Sequence, residues 1–371
     1  MGRNVGTVSR PPGQRPWEHV VTGVAAVGLA AVIAVLALGW FDAPAHPLPA
    51  AVEPAADRRT AEDLAAMSDA ELAKLDPLVM NLIVARGIPG LDHLDIGWYS
   101  SIVDSWAQRI NAANLAAEPT SHDDPTYRVS REFWMAGGMA VMLAGPAFGT
   151  RYTTEHLDAE HPEQQFVYGV IDQRMGTCAS MPVLYMAIGY RLGWPIKAVV
   201  SGDHMWARWD DGRPGGQRFN LEATSVRSSG GVGSFGSMTD EQYATDLGTP
   251  RAAIASGSDF TSLTPRQTLG AFLQSRAGFW AARRQWDRAE RDLRLAVTCF
   301  PQNRDIRQIY QIACAGGRAP RLVSGGLSPR ELEAQARAVE RLNRANEDAL
   351  KRLVASPPNP KPQVPLSFDP D

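Results

Sequence analysis

The stretch from residue 176 to 224 constrains the fold of this chain most, because its pattern changes there from helix to strand. A long apolar run ends at Gly193, which is a typical end for a helix. Three runs rich in β-branched or aromatic residues follow, at 196–200, 204–209 and 218–223, with Gly- and Pro-containing loops between them. A helix followed by hairpin-connected strands predicts an α+β fold, with helices packed on an antiparallel sheet.

Residues 61–160, which precede this stretch, have a helical pattern. Ser68 and Glu71 have the spacing of a capping box, in which the two side chains satisfy backbone N–H groups at a helix start. A second helical stretch is expected over about 130–143. We therefore predict a helical N-terminal part, followed by an α+β core over 161–260.

The C-terminal part is also predicted to be helical. Thr264 begins a capping box with a proline at the first helical position, which is a strong helix start. Residues 261–320 are similar to one tetratricopeptide unit, and because a single unit cannot stack, we expect a helical hairpin packed on the core. A last helix is expected over 328–355, packed on its own domain rather than forming a coiled coil. Residues 356–371 are proline-rich and predict a disordered tail.

An uncharged apolar run at residues 20–41 predicts a transmembrane helix. About 22 residues at ~1.5 Å each span roughly 33 Å, enough to cross the hydrocarbon core of a bilayer. Arginines precede the run, so residues 1–19 are expected in the cytoplasm and the C-terminal domain outside it, in the periplasm. This predicts a single-pass protein of the inner membrane, with a Pro/Ala linker at 42–60. The alternative is a cleaved signal peptide, although signal cores are usually shorter, at ~7–15 residues.

Charge and motif content exclude several kinds of ligand. The chain has 37 basic and 40 acidic residues and a net charge of −3, so nucleic acid is not an expected partner. His156 and His161 do not have metal-ligand spacing, and no C-x-x-C pair or phosphate-binding glycine loop is present. We therefore expect neither a metal nor a cofactor.

The three cysteines are too few for a disulfide framework. Cys299 and Cys314 flank a turn and could be bridged in an oxidising compartment, which leaves Cys178 without a partner. A cysteine is nucleophilic as a thiolate, which a helix N-terminus and a nearby imidazole favour. Pro182 is tolerated only in the first turn of a helix, so it places a helix start at or next to Cys178. Gly176 would allow the close backbone approach of an acyl-transfer site.

His204 begins the second predicted strand and is the candidate imidazole. It shares one face of that strand with Trp206 and Arg208. If the next strand returns through the loop, Asn220 comes near His204 and can accept its second ring N–H, which would fix the tautomer. Glu222 lies on the same face as Asn220 and is the alternative. Asn220 could also simply cap or bridge a turn.

The run GTCASMPVLYMAIGYRLGWPIKAVVSGDHMWARWDDG, continued by RFNLEAT, resembles the core of bacterial transglutaminase-like proteins. The helical segment at 81–107 resembles the N-terminal part of that family, and the repeat-like C-terminal segment resembles its C-terminal part, so the resemblance covers about residues 70–310. It implies a papain-like fold with Cys178 as nucleophile, His204 as base and Asn220 as the residue that orients His204. An Asp is commoner than an Asn at the third position of this family, which makes Glu222 the fallback third member.

By analogy, the resemblance also makes Gln173 a candidate oxyanion donor, although an ordinary surface glutamine is the competing interpretation. It favours an enzyme in which Cys178 attacks an amide or ester carbonyl of a peptide or protein, as a protease or amidase does. Hydrolysis is favoured over crosslinking, since no pattern indicates how water would be excluded. The alternatives are a non-catalytic module of the cell envelope that binds a protein through its C-terminal helices, and a structural envelope protein with an inert cysteine.

Overall fold

A computed structural model of the chain describes residues 57–153, 159–223 and 238–317. The predicted transmembrane helix at 20–41, the last helix at 328–355 and the tail at 356–371 lie outside these ranges, as does most of the linker at 42–60. Over the three described ranges, none of the helices combines the length and the apolar character that a membrane crossing requires.

The N-terminal part is helical, as predicted. Its first helices are α1 (Ala61–Ala66), α2 (Asp69–Leu72), α3 (Pro77–Arg86) and α4 (Ile96–Ala117). The predicted capping box at the start of α2 is confirmed, since Ser68 and Glu71 bond each other's backbone N–H groups. Thr60 and Asp63 form the same motif at the start of α1. These caps satisfy N–H groups that a helix cannot pair internally, and so they fix where each short helix begins.

A second group of elements leads to the core. It consists of α5 (Pro125–Val129), α6 (Arg131–Ala144), β1 (Arg151–Tyr152), α7 (Pro162–Gln165), α8 (Val167–Gln173) and β2 (Met175–Gly176). Ser130 caps α6 by accepting from the N–H of Phe133, which places the helix where the sequence predicts it. The short strands β1 and β2 pair in parallel, so they bring Tyr152 beside Gly176.

The core consists of one long helix packed on a three-stranded sheet. The helix is α9 (Met181–Leu192), and the strands are β3 (Ile196–Ser201), β4 (His204–Asp210) and β5 (Arg218–Leu221). The sheet is antiparallel in the order β3-β4-β5. Gly193, at φ 68°, ends α9 in a left-handed conformation that glycine adopts without strain. This is the α+β arrangement that the sequence predicts.

Helix α9 is buried along most of its length and is anchored to the N-terminal helices by a charged side chain. The buried Arg191 forms ion pairs with Asp76, at the start of α3, and with Asp104 in α4. Two carboxylates therefore compensate a guanidinium that would otherwise be costly to bury. The contact fixes the helix that begins near Cys178 relative to the helical N-terminal part.

The C-terminal part is helical as well. Its elements are α10 (Asp240–Asp246), α11 (Arg251–Ala255), α12 (Pro265–Ala282), α13 (Trp286–Cys299) and α14 (Arg304–Cys314). The predicted capping box at Thr264 is confirmed. Helices α12 and α13 form a hairpin, and α12 packs on α3, whereas the relation of this region to tetratricopeptide units stays a prediction. The segment before α12 covers the edge of β3, because Phe260 and Leu263 donate backbone hydrogen bonds to it.

Cys299 and Cys314 are free thiols, so the disulfide considered for them is not formed. Cys299 is buried at the end of α13, next to the turn that leads into α14. Cys314 is exposed at the opposite end of α14, whose 11 residues span roughly 16 Å. A disulfide needs Cα atoms about 4.4–6.8 Å apart, and an intervening helix of this length prevents that approach.

Candidate active site

Cys178 lies in the turn that leads into α9. Thr177 accepts backbone hydrogen bonds through its carbonyl oxygen from Ser180 and Met181, and α9 begins at Met181. Pro182 lies within the first turn of that helix, where its missing N–H has no cost. The structure therefore places Cys178 next to a helix start, as the sequence indicates.

Hydrogen bonds to one carbonyl group hold this turn in place. The hydroxyl groups of Thr177 and Ser180 donate to the backbone oxygen of Gln164, at 2.7 and 2.9 Å respectively. The N–H of Thr177 in turn donates to Ser180 Oγ at 3.0 Å. All three residues are buried. The N–H of Cys178 itself forms no hydrogen bond with any described residue, so it can donate to an oxygen of a bound molecule.

Gly176 is required by the close packing beneath the turn. A Cβ at this position would lie 2.6 Å from Val170 Cγ2 and 2.8 Å from Ser180 Oγ. Both distances are shorter than side chains tolerate, so a larger residue would push the turn away from α8. The position of Cys178 thus depends on the absence of a side chain two residues before it.

The imidazole of His204 interacts electrostatically with the side chain of Cys178. The thiol also lies 3.7 Å from the backbone oxygen of Asp203, the residue before His204. On the other side of the ring, His204 Nε2 is 3.0 Å from Glu222 Oε2. Because Nε2 faces the carboxylate, Nδ1 is the ring nitrogen that remains for the sulfur. Cys178, His204 and Glu222 therefore form a continuous row.

Buried polar contacts fix Glu222. Its Oε2 accepts a hydrogen bond from the hydroxyl group of Tyr243, a buried residue of α10. Burial, followed by the charge of Glu222 and this hydrogen bond, raises the pKa of Tyr243 well above its ordinary value. Tyr243 thus stays a hydrogen-bond donor at neutral pH, and it helps to hold the carboxylate toward His204.

The surroundings of His204 favour its charged form. Burial alone lowers the pKa of His204, but the Glu222 carboxylate and the interaction with Cys178 act in the opposite direction and prevail. The result is a pKa well above the ordinary value of 6.5. An imidazolium next to Cys178 stabilises the thiolate, which is the nucleophilic form of the side chain.

Aromatic packing holds the His204 ring in this orientation. The ring stacks on Trp206 with centroids 5.7 Å apart and an interplanar angle of 23°. On the same indole, Tyr243 stacks at 4.4 Å and 12°. Trp206 is fully buried, so it belongs to the core as well as contacting His204. The ring of His204 is therefore held by a rigid part of the core.

Asn220 does not form the predicted contact with His204. Its Oδ1 accepts hydrogen bonds from Trp206 Nε1 and Arg208 Nε, at 3.0 and 2.7 Å. Its Nδ2 donates to the backbone oxygen of Met238 and to Asp240 Oδ1, at 2.8 and 2.9 Å. These four hydrogen bonds hold the amide in a buried network. Asn220 therefore has a structural role and does not orient the imidazole.

The register of the sheet explains the difference. Asn220 lies opposite Arg208, four residues along β4 from His204 and roughly 13 Å away at ~3.3 Å per residue. Glu222 is two positions nearer and on the same face, within diagonal reach of His204. The order of the residues in the sequence does not determine this register. The prediction from the sequence therefore names Asn220 as the third site residue and Glu222 only as the alternative.

Gln173, the candidate oxyanion donor, lies at the exposed end of α8. It forms no hydrogen bond with the residues around Cys178 in the described part of the chain. The positive φ of 58° at the following Arg174 turns the chain sharply between Gln173 and β2. The structure thus brings Cys178, His204 and Glu222 together, and leaves Gln173 and Asn220 outside this row.

Two tyrosines of the site are not indicated by the sequence. Tyr152 in β1 interacts electrostatically with Cys178, and burial followed by this charge raises its pKa. Tyr243 reaches Glu222 from α10, across a Gly/Ser-rich segment that gives no pattern. A lone tyrosine has no spacing signal, so only the folded arrangement identifies either residue.

The turn before His204 is held from the C-terminal side of the core. Asp259 Oδ1 accepts hydrogen bonds from Ser201 Oγ and from the N–H of Gly202, at 2.9 and 3.2 Å. Asp259 is buried, and this contact fixes the hairpin whose tip contacts the thiol. The described residues contain no group of three or more His, Cys, Asp or Glu side chains that could hold a metal ion.

Comparison with known proteins gives one match. The model of a family described as the transglutaminase-like superfamily matches residues 139–226, a range that contains Cys178, His204, Asn220 and Glu222. No curated protein matches the chain, and no solved structure does. The match agrees with the resemblance drawn from the sequence over the core, and it does not extend to the C-terminal helices.

Proposed function

From the transglutaminase-like domain at residues 139–226, we propose that the chain is a membrane-anchored cysteine hydrolase or acyltransferase. Its substrate is an amide or ester bond, with a peptide or protein as the molecule that carries it. The observation that carries this proposal is the placement of the Cys178 thiol against Asp203, the residue before His204, whose imidazole is hydrogen-bonded to Glu222. The membrane anchor rests on the apolar run at 20–41 alone.

In this proposal, Cys178 is the nucleophile and His204 the acid and base. The thiol proton passes to His204, and the thiolate attacks the carbonyl carbon of the substrate. The oxyanion that forms accepts a hydrogen bond from the Cys178 N–H at the start of α9. His204 then gives its proton to the leaving group, which departs and leaves a thioester on Cys178.

Glu222 replaces Asn220 as the residue that orients the imidazole. A carboxylate on Nε2 keeps Nδ1 directed at the sulfur and stabilises the imidazolium by its charge. The thioester is resolved when water, activated by His204, attacks its carbonyl carbon, or when an amine does so. Hydrolysis and transfer share every residue named here and differ only in the acceptor.

The proposal is tested by the reactivity of the thiol. We expect iodoacetamide to alkylate Cys178 in the full chain at pH values well below the ordinary cysteine pKa of ~8.5. Cys178→Ala removes this labelling, whereas Cys299, which is buried and whose pKa burial raises, should stay unlabelled at these pH values. His204→Ala should shift the labelling of Cys178 up toward ~8.5, because the imidazolium that stabilises the thiolate is lost.

A model ester and a model peptide amide then distinguish a reactive thiol from an enzyme. Wild-type protein should release product with a burst that matches one acyl group per Cys178, and His204→Ala should not. The proposal fails if Cys178 labels only near ~8.5 and if His204→Ala makes no difference. If iodoacetamide alkylates Cys178 but neither model substrate transfers its acyl group to it, the non-catalytic binding module is favoured instead.

A further inference from the structure

A second cleft, separate from the site around Cys178, lies between the N-terminal helices and the α12–α13 hairpin. Its volume is about 540 Å³, and none of its lining residues belongs to that site. Six arginines line it: Arg58, Arg59, Arg86, Arg276, Arg288 and Arg291. Three carboxylates face the same space, those of Glu62, Asp92 and Asp292.

A buried ion pair forms one wall of the cleft. Arg276 donates two parallel hydrogen bonds to Asp292, at 2.6 and 2.8 Å, and Trp280 Nε1 donates a third at 3.0 Å. Gly87 makes room for this arginine, because a Cβ there would lie 2.1 Å from Arg276 Nη1. The charges of Arg276 and Asp292 cancel, so this wall is rigid and close to neutral.

The remaining arginines carry charge that the protein does not neutralise. Arg58, Arg288 and Arg291 are exposed, and within the described ranges none of them is in an ion pair. Arg86 donates to the carbonyl oxygens of Leu94 and Asp57, which carry no full charge. All four guanidinium groups therefore keep a net charge at the cleft.

One of these arginines is already oriented. The guanidinium of Arg288 lies 4.6 Å from the centroid of the Trp280 ring. Stacking on an aromatic face leaves the N–H groups at the edge of the guanidinium available to a ligand. Trp280 is itself held by Asp292, so the stacked arginine is supported by the buried ion pair.

The charge balance favours an anion. Arg59 is paired with Asp57, and Arg276 with Asp292, so four arginines face only Glu62 and Asp92. This leaves an excess of two positive charges in a protein whose overall charge is −3. A local excess in an otherwise acidic chain indicates a charge arrangement specific to this cleft.

We propose that this cleft binds a small ligand that carries a phosphate group. A phosphate monoester or diphosphate concentrates two or more charges on one group, which matches the excess, and its oxygens accept the parallel hydrogen bonds of guanidinium forks. The volume lies in the range of about 300–1,000 Å³ typical of small-molecule sites. The proposal does not depend on the function proposed for Cys178.

The experiment is isothermal titration of the full chain with inorganic pyrophosphate and with phenyl phosphate at constant ionic strength. We expect saturable binding that is at least about tenfold weaker in the double variant R288Q/R291Q, since charge-assisted hydrogen bonds to the ligand are lost. Arg58 lies on a different segment from Arg288 and Arg291, and R58Q should also weaken binding. The matched control is R294Q, an exposed arginine of α13 that is paired with Glu290 and does not line the cleft.

A lipid headgroup and a soluble phosphate compound present the same chemistry, and titration with a soluble lipid distinguishes them. Short-chain phosphatidic acid, added to the full chain and to R288Q/R291Q in the same detergent, gives variant-sensitive binding tighter than that of pyrophosphate only if the ligand is a headgroup. Variant-sensitive binding of pyrophosphate alone identifies a soluble ligand. The proposal is wrong if pyrophosphate binds no better than citrate, or if R294Q weakens binding as much as R288Q/R291Q does.

Discussion

At the residue scale, the charge of Glu222 opposes the effect of burial on the pKa of His204. Without a partner, the buried imidazole would have a lowered pKa and would be neutral next to the thiol. The carboxylate raises the pKa of His204 above 6.5, so the imidazolium persists to higher pH. The charged form of His204 therefore exists in the pH range in which a cysteine begins to ionise.

We expect Glu222→Gln to lower the rate of Cys178 alkylation near pH 7 by about tenfold or more. Each unit of pKa lost by His204 corresponds to ~1.4 kcal/mol of stabilisation of the charged pair. The sign follows from the direction of the shift: the pKa of His204 falls, so the imidazolium is lost at lower pH than in the wild type. The pH profile of alkylation rate is the measurement.

Asn220→Ser is the matched control for this variant. It leaves Trp206 Nε1 or Arg208 Nε without its acceptor and should reduce stability by about 1–3 kcal/mol. It should not change the pH profile of Cys178 alkylation, because Asn220 does not contact His204. A shifted profile in Asn220→Ser, with an unshifted one in Glu222→Gln, would contradict the assignment of Glu222.

At the scale of elements, the site depends on how the turn before α9 packs on α8. The turn is fixed by hydrogen bonds to the carbonyl oxygen of Gln164 and by the close approach at Gly176. The tip of the β3–β4 hairpin meets the thiol from the other side, held by Asp259. Two independent elements thus set the distance between Cys178 and His204.

Gly176→Ala should displace this turn and lower both thiol reactivity and stability. The added Cβ would lie 2.6 Å from Val170 Cγ2, and overpacking of this kind typically costs about 1–3 kcal/mol. We expect the alkylation rate of Cys178 to fall under conditions in which circular dichroism shows the protein still folded. Gly278→Ala in α12 is the control, since its Cβ would come no closer than 3.2 Å to Ala159 Cβ. Equal reactivity in both variants would rule out this role of Gly176.

At the scale of the whole molecule, a buried ion pair within the C-terminal hairpin supports an arginine that also bonds the N-terminal helices. Arg276 of α12 bonds Asp292 of α13 and also donates to the backbone oxygen of Val84 in α3. Both charged side chains are almost fully buried. Such a pair is a weak source of net stability, but removal of one partner leaves a buried charge without compensation.

Asp292→Asn should therefore destabilise the protein by about 3–5 kcal/mol. Denaturant unfolding measured by tryptophan fluorescence reports the change, since Trp280 also bonds Asp292. Glu290→Gln is the matched control on the same helix, because its exposed pair with Arg294 should contribute nothing measurable. If both variants lost equal stability, the hairpin would not be held by the Arg276–Asp292 pair.

The sequence by itself determines the local elements of this protein. The capping residues Ser68 and Thr264, the apolar run up to Gly193 and the strand patterns after it specify helices and strands through contacts within a few residues. The same local rules place Cys178 beside a helix start, because Pro182 fits only in the first turn of a helix. These predictions agree with the structure because they need no knowledge of distant neighbours.

Only the tertiary structure decided which side chains meet. Asn220 lies in β5 and Glu222 directly follows that strand, and the register of β4 and β5 selects Glu222 as the partner of His204. Tyr243 and the arginines of the second cleft come from segments far apart in the chain, whose spacing carries no signal. Strand register and helix packing are set by the burial of many side chains at once, so no local pattern encodes them.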